Sequence, residues 1–376
     1  MVYLDNSATT AVCPAAVEKA TDMMRRVFGN PSSLHTLGFE AEQEMEKARR
    51  IAADWLGVSP VELVFTSGGT ESNNLAILGG AAAKNRVGRH VVTTAMEHSS
   101  VRQACAELER QGWEITRLLP DRDGTVTPEQ VAGACRQNTV LVSVMLVNNE
   151  IGACYEMEKM APLIRKAAPQ ALIHCDAVQA AGKRTLRPAR MGVDLLSISG
   201  HKLHAPKGVG LLYIRRGARI LPRTFGGHQE NGLRAGTEST PLIAALGAAI
   251  ESLPSPSDQQ ERYERLRRRL IDQLAENDQI RFHLPPGGVP YIVHLSVPGV
   301  RSETLLHFLA QREIYVSSGS ACAKGQKSPV LTAMGLPDAE IDSALRISFC
   351  YENTPDDIDR FTAALVEAAS TLARKR

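Results

Sequence analysis

Lys202 stands between two histidines in SGHKLHAPKGVG, residues 199–210, with Gly200 before it and Pro206 and Gly208 after it. Burial can keep a lysine confined in this way unprotonated, and its free amine is then a nucleophile toward carbonyl groups. Other chemistry-bearing residues recur in an equivalent place, directly after a short apolar run. VELVF is followed by TSGGTESNN, HVVTTAM by Glu97-His98, TVLVSVMLV by Asn148-Asn149-Glu150, and ALIHC by Asp176 with Gln179 three residues on. VDLLSIS leads into Ser199-Gly200-His201-Lys202 itself. The Gly68-Gly69-Thr70 turn, opening a helical pattern, offers backbone N–H groups and a helix dipole to a phosphate. The GxxxxGK[ST] spacing of a P-loop is absent. Taken singly, each of these has a plain structural reading: a tight strand–helix turn, a structural histidine, asparagines used as turn formers. That reading is weakest for Asp176, because a carboxylate ending a buried strand needs a cation or helix-cap donors.

The elements that must position these residues are legible from periodicity. VELVF, HVVTTA, WEITRLL, TVLVSVMLV, ALIHC, VDLLSIS and VGLLYI read as strands, several of them apolar at every position. Between them ESNNLAILGGAAAK, SSVRQACAELERQG and EMEKMAPLIRKAA carry helical spacing, and Thr127-Pro128-Glu129-Gln130 has the form of a capping box. Continuous apolar strands alternating with helices predict a mostly parallel sheet covered on both faces, the doubly wound α/β class. In such sheets ligands sit beyond the carboxyl ends of the strands. A lysine, an acid to pair with a pyridine nitrogen and helix-end donors for a phosphate are the requirements of a pyridoxal phosphate site. The competing readings are a buried Lys202–Asp176 ion pair and a nucleotide phosphate held by Lys202. Five strand ends that agree favour the cofactor.

A chain of 376 residues predicts roughly two domains. With 43% hydrophobic and 22% charged residues it is ordinary globular composition, and a net charge of +2 gives no support to a nucleic-acid surface. LPSPSDQQ, residues 253–260, breaks the α/β alternation. Beyond it lies a charged amphipathic helix, ERYERLRRRLIDQLAEN, whose basic run reads as a solvated face. IRFHL, YIVHLSV, IYVSS and ALRISF then read as strands with two helices among them, and a final helix is capped by Thr354. No apolar run reaches the ~18 residues of a membrane helix, and MVYLDNSATT lacks the charge and apolar pattern of a signal peptide. The expectation is a cytoplasmic protein. Seven cysteines, an odd number without CxxC, indicate neither a disulfide framework nor a zinc site.

Taken together, LDNSATT, GNPSSLH, TSGGTESNN, MEHSSV, VNNEIG, HCDAVQ, SGHKLHAPKGVG, LRAGTEST, SSGSACA and LRISF resemble the cysteine desulfurases of the NifS/IscS type. These belong to the class V aminotransferase group of pyridoxal-phosphate enzymes, and the resemblance covers nearly the whole chain. It implies the fold type I of pyridoxal-phosphate transferases: a large domain, residues 15–253, with a mostly parallel seven-stranded sheet, and a smaller α+β domain. The smaller domain would combine residues 1–14 with 254–376 and carry the loop of the sulfur-accepting cysteine.

For the site, the resemblance implies that Lys202 holds pyridoxal 5'-phosphate as a Schiff base and later moves protons. Asp176 would pair with the pyridinium nitrogen and His98 would lie over the ring and serve in acid–base steps. Gln179 would bond the ring hydroxyl oxygen, with Asn149 near that oxygen and the substrate carboxylate. Gly69, Thr70, Ser199 and His201 would hold the phosphate, joined by Thr237 from the partner subunit of a homodimer. Arg346 would take the carboxylate of L-cysteine, and Cys322 would receive its sulfur as a persulfide, leaving alanine. Gly319, Gly325 and the small residues around Cys322 suit an exposed loop, where a mobile thiolate can work. His204 is expected to be structural.

The implied partners are a sulfur acceptor, either an iron–sulfur scaffold or a tRNA-thiolation enzyme, with no membrane and no direct nucleic acid. Three features depart from the family pattern. The loop after Cys322 is shorter than in long-loop relatives, a C-terminal scaffold-docking extension is not seen, and Cys154 follows NNEIGA where an apolar residue is expected. A selenocysteine lyase, a β-lyase or aminotransferase that does not need Cys322, and a pyridoxal-phosphate-binding regulator without turnover are the alternatives.

Overall fold

The computed structural model describes residues 1–318 and 327–372. After β1 (Val2–Tyr3), seven strands build the central sheet: β2 (Leu63–Thr66), β3 (His90–Thr94), β4 (Glu114–Leu118), β5 (Thr139–Met145), β6 (Leu172–Asp176), β7 (Leu195–Ser199) and β8 (Gly210–Ile214). Their order across the sheet is β2-β8-β7-β6-β5-β3-β4, and every neighbouring pair is parallel except the two involving β8. Because β8 is antiparallel to both β2 and β7, those two strands point the same way. The carboxyl ends of β2, β3, β5, β6 and β7 therefore share one end of the sheet, where the predicted ligand-bearing turns follow.

All residues of β2, β3 and β5–β8 are buried, whereas the edge strand β4 is half-exposed. Alternate side chains supply the two faces. Val92, Val142 and Ile173 join one apolar cluster, and Val91, Leu141 and Leu172 the other. The first cluster runs on without a break into Tyr263, Tyr291 and Phe361 of the C-terminal part. Three further helices, Pro14–Arg25, Thr36–Leu56 and Thr240–Glu251, pack together on this body. Their contact is close: a Cβ on Gly247 would stand 3.0 Å from that of Ala48. The helix that opens at Gly69 continues to Lys84 through a π-helical stretch at Leu75–Gly79.

The C-terminal part has β9 (Arg281–Phe282), β10 (Ile292–Ser296), β11 (Ile314–Tyr315) and β12 (Ala344–Ser348). β12-β10-β9 form an antiparallel sheet, and β11 pairs in parallel with β1, so the N-terminal residues lie against this part of the molecule. Among the described residues, three helices lie among these strands, Ser302–Ala310, Pro329–Ala333 and Asp338–Ile341, one more than the sequence predicts. The extra one is a four-residue turn, too short to show a helical period. The basic helix begins ahead of its charged run, at Pro256 capped by Ser255. Its basic run behaves as a solvated face, with Arg265 paired to Glu261 and Arg269 to Asp359. Thr354 caps Pro355–Thr371 in a box with Asp357. Among the described residues, no helix is long and apolar enough to cross a membrane.

Candidate functional site

Beyond β7 the chain makes a tight turn at Gly200–Lys202. Gly200 permits it: a Cβ there would lie 2.9 Å from the carbonyl oxygen of Val209. Lys202 is 8% exposed, and its Nζ donates to the backbone carbonyl of Ala8 at 2.6 Å and to that of Ser7. Those carbonyls belong to LDNSATT, which is fixed by Ser7 N–H donating to Ser348 Oγ at 2.8 Å and Thr10 N–H to His201 O at 3.0 Å. The alternative of a buried Lys202–Asp176 ion pair is not formed. Burial lowers the Lys202 amine to about 7, helped by Arg346 and Lys183 and opposed by Asp5 and Asp176. Near neutrality a substantial fraction of it is the nucleophilic free base.

Asp176 ends β6, 5% exposed. It accepts from Asn73 Nδ2 at 2.7 Å and from Val178 N–H at 3.0 Å. Asn73 also donates to Ser100 Oγ at 2.9 Å, and Ser100 Oγ lies 2.8 Å from His98 Nδ1. His98 caps the helix Ser99–Arg110 by accepting Ser100 N–H at Nδ1, which leaves the ring proton on Nε2. Burial lowers its basicity, opposed by Asp176 and reinforced by Lys202, which favours the uncharged ring. Gln179 donates from Nε2 to Ser7 O at 2.9 Å, while its Oε1 is buried without a partner.

Gly68, with φ +147°, turns the chain from β2 into the helix that opens at Gly69. A side chain at Gly69 would collide with Val178 Cγ2, 2.8 Å from its Cβ. The first amides of this helix lack intrahelical partners, and Gly69 and Thr70 line the same cavity as Ser199 and His201. Burial, followed by the charges of Lys202 and Lys207, lowers His201 to about 4, and its Nδ1 lies 3.2 Å from Thr9 Oγ1. At the opposite wall Arg346, 2% exposed, donates from Nη1 to the carbonyl of Asn149 at 2.9 Å. Of the neighbouring asparagines, Asn148 is turn chemistry, its Oδ1 accepting from the Glu150 and Ile151 amides at 2.9 Å, whereas Asn149 faces the cavity.

One cavity of about 750 Å³ is lined by Lys202, His98, Asp176, Gln179, Asn149 and Arg346, and equally by Gly69, Thr70, Ser199 and His201. Thr237 is exposed and does not line this cavity. Its segment is tied down nearby, by Arg234 Nε donating to Glu71 Oε1 at 3.0 Å. Cys322, with Gly319 and Gly325, lies outside the described residues. Cys154 is half-buried, and burial raises its thiol, which disfavours the thiolate.

Several residues of the site carry no functional signal in the sequence. Ser7 and Ala8 act through backbone carbonyls, which every residue possesses. Asn73 and Asp5 declare a role only through what they touch, and Glu97, noted in the sequence beside His98, proves to be buried. Glu97 is fully buried, which raises its carboxyl to about 8, and accepts from Thr94 Oγ1 at 2.8 Å and Met145 N–H at 3.0 Å. Glu150, raised by burial to about 7, accepts from Ser328 Oγ at 2.5 Å.

The donor set fits pyridoxal phosphate. An amine of lowered basicity, a buried carboxylate, an unpartnered Gln179 oxygen and a glycine-floored helix start share one cavity. No cluster of three or more metal-ligating side chains occurs among the described residues.

Residues 2–361 match the family described as aminotransferase class-V. The cysteine desulfurase IscS of Methanosarcina thermophila is 40% identical over 375 residues, covering 99% of this chain and 92% of its own length. A solved NifS-like protein superposes with a TM-score of 0.93 at 36% identity, over 99% of this chain and 100% of that one. The structure of SspA in complex with cysteine superposes with a TM-score of 0.82 at 34% identity, over 93% of this chain and 99% of that one.

Proposed function

Because the chain belongs to the class V aminotransferase family and is a cysteine desulfurase, we propose that it converts L-cysteine to L-alanine in this cavity and passes the sulfur out on Cys322. The observation that carries the reading is the free Lys202 amine, buried in one cavity with Asp176, a helix start and Arg346. Pyridoxal phosphate would be held by Lys202 as its point of covalent attachment. Asp176 would sit at the ring nitrogen, with His98, Gln179 and Asn149 around the ring. Gly69, Thr70, Ser199 and His201 would take the phosphate, with Thr237 reaching that of a second copy in a homodimer. When bound, the cofactor supplies an electron sink for negative charge at the substrate Cα.

The chain's own residues do the rest. Arg346 and Asn149 bind the substrate carboxylate and so fix the Cα–H bond relative to Lys202, whose amine takes and returns the proton at Cα. Asp176 holds a proton at the ring nitrogen, kept in place by Asn73 and the Val178 amide. The Cys322 thiolate attacks the substrate sulfur. The Cβ–S bond breaks with its electron pair left on the carbon fragment, which ends as alanine after protonation, and the sulfur remains on Cys322 as a persulfide. That sulfur would go to an iron–sulfur scaffold or a tRNA-thiolation enzyme in the cytoplasm. In domain terms, residues 15–253 would carry the cofactor and residues 1–14 with 254–376 would carry the sulfur-transfer loop.

Replacing Arg346 by lysine keeps the charge and loses the planar fork. KM for L-cysteine should rise by roughly 10- to 100-fold with a much smaller change in kcat, as expected when carboxylate binding is what was removed. An unchanged KM would mean that the carboxylate docks elsewhere.

A further inference from the structure

The guanidinium of Arg346 is already engaged on two sides. Nη1 donates to the neutral carbonyl of Asn149 at 2.9 Å, Nη2 donates to Asp5 Oδ1 at 2.7 Å, and the buried Nε has no partner. Among the described residues Asp5 is the sole carboxylate paired with it. The backbone holds Asp5 in that position. It bridges to Ser348, which shares a face of β12 with Arg346, and its own carbonyl accepts Ala8 N–H at 2.9 Å. The same short segment presents the Ser7 and Ala8 carbonyls to Lys202.

We propose that Asp5 is the resident counter-ion of Arg346 and competes with the substrate and product carboxylates for it, so that it sets how tightly the amino acid binds and how readily alanine leaves. The proposal rests on the reading of Arg346 as the carboxylate site. An incoming carboxylate finds a guanidinium with donors still free, on Nη1, Nη2 and Nε, but with an anion already beside it. Two carboxylates on one cation disfavour each other, whereas an acceptor without charge does not. A second observation runs the same way. Arg346 lowers the basicity of the Lys202 amine and Asp5 raises it, so the pair acts on the reacting lysine with opposite signs. Asp5 thus offsets the arginine's field while the carboxylate site is empty.

The test uses the pyridoxal-phosphate-loaded enzyme titrated with L-alanine and, in parallel, with ethylamine, which is alanine without its carboxylate. Asp5→Asn keeps an acceptor for Nη2 and removes the charge. The L-alanine Kd should fall by about tenfold, one pKa-unit's worth of like-charge repulsion, while ethylamine binding stays as in wild type. Asp5→Glu, which restores the charge, should bind L-alanine within a few-fold of wild type. In the cofactor-free chain, the pH midpoint for covalent capture of pyridoxal phosphate by the Lys202 amine should move down in Asp5→Asn, because the group that raised the amine's basicity is gone. An L-alanine Kd that is unchanged or higher in Asp5→Asn overturns the proposal. So does equal weakening in Asp5→Asn and Asp5→Glu, the signature of a purely structural contact. An Arg346→Lys enzyme that binds L-alanine as tightly as wild type overturns the premise about Arg346 instead.

Discussion

Replacing Lys202 by alanine is expected to slow alanine formation from L-cysteine by on the order of 10³- to 10⁴-fold, the scale of a lost proton-transfer and attachment group. Lys202 reaches the cavity from the turn after β7, and in the proposed function it is the amine that takes the Cα proton. The residual rate should not recover at higher cofactor concentration, since the loss is in chemistry. Borohydride reduction of the loaded wild type followed by peptide mass analysis should place the cofactor on Lys202, and the alanine variant should carry none. The amine also makes a pH prediction with a definite sign. The neutral form reacts, and burial has lowered Lys202 to about 7. Covalent capture of pyridoxal phosphate by the cofactor-free chain should therefore rise with pH through a midpoint at about 7 and level off above it. An ordinary lysine would keep rising to about pH 10, and that outcome would show that burial does not tune this amine.

The second large effect falls on Cys322. Serine at this position keeps the size but cannot take up sulfur, so sulfide and alanine production should both drop below roughly 1% of wild type, in line with removal of a nucleophile. Binding should survive. The absorption change on adding L-cysteine should persist at similar concentrations, because Arg346, Asn149 and Lys202 are untouched. A β-lyase or aminotransferase built on the same cavity would keep its turnover in this variant. Normal turnover would thus remove Cys322 from the mechanism.

Much of this site is legible in the sequence, because parallel strands put functional residues in a predictable place. Each of the five turns after an apolar run borders one cavity, and the seven strands, including the reversed β8, coincide with the apolar runs. The asparagines show the limit of this reasoning. Asn148 and Asn149 are adjacent and chemically identical, and the backbone alone decides that one closes a turn while the other faces the cavity. Ser7 and Ala8 are illegible for a different reason, since they hold Lys202 through carbonyls that any residue possesses. Asp5 pairs with Arg346 across 341 positions of sequence, a contact without local signal. The helix Thr240–Glu251 is apolar nearly all round, which blurs its period, and it meets Thr36–Leu56 through small residues, as at Ala48 against Gly247. Small residues leave a faint hydrophobic period.

The most direct test of the central claim is to incubate the pyridoxal-phosphate-loaded protein with L-cysteine and a thiol reductant, and to quantify alanine and sulfide in the same samples. The account predicts equal amounts of the two, accumulating over many turnovers and falling together in Cys322→Ser. Pyruvate and ammonia in place of alanine would contradict it, and so would a loaded enzyme that forms neither alanine nor sulfide.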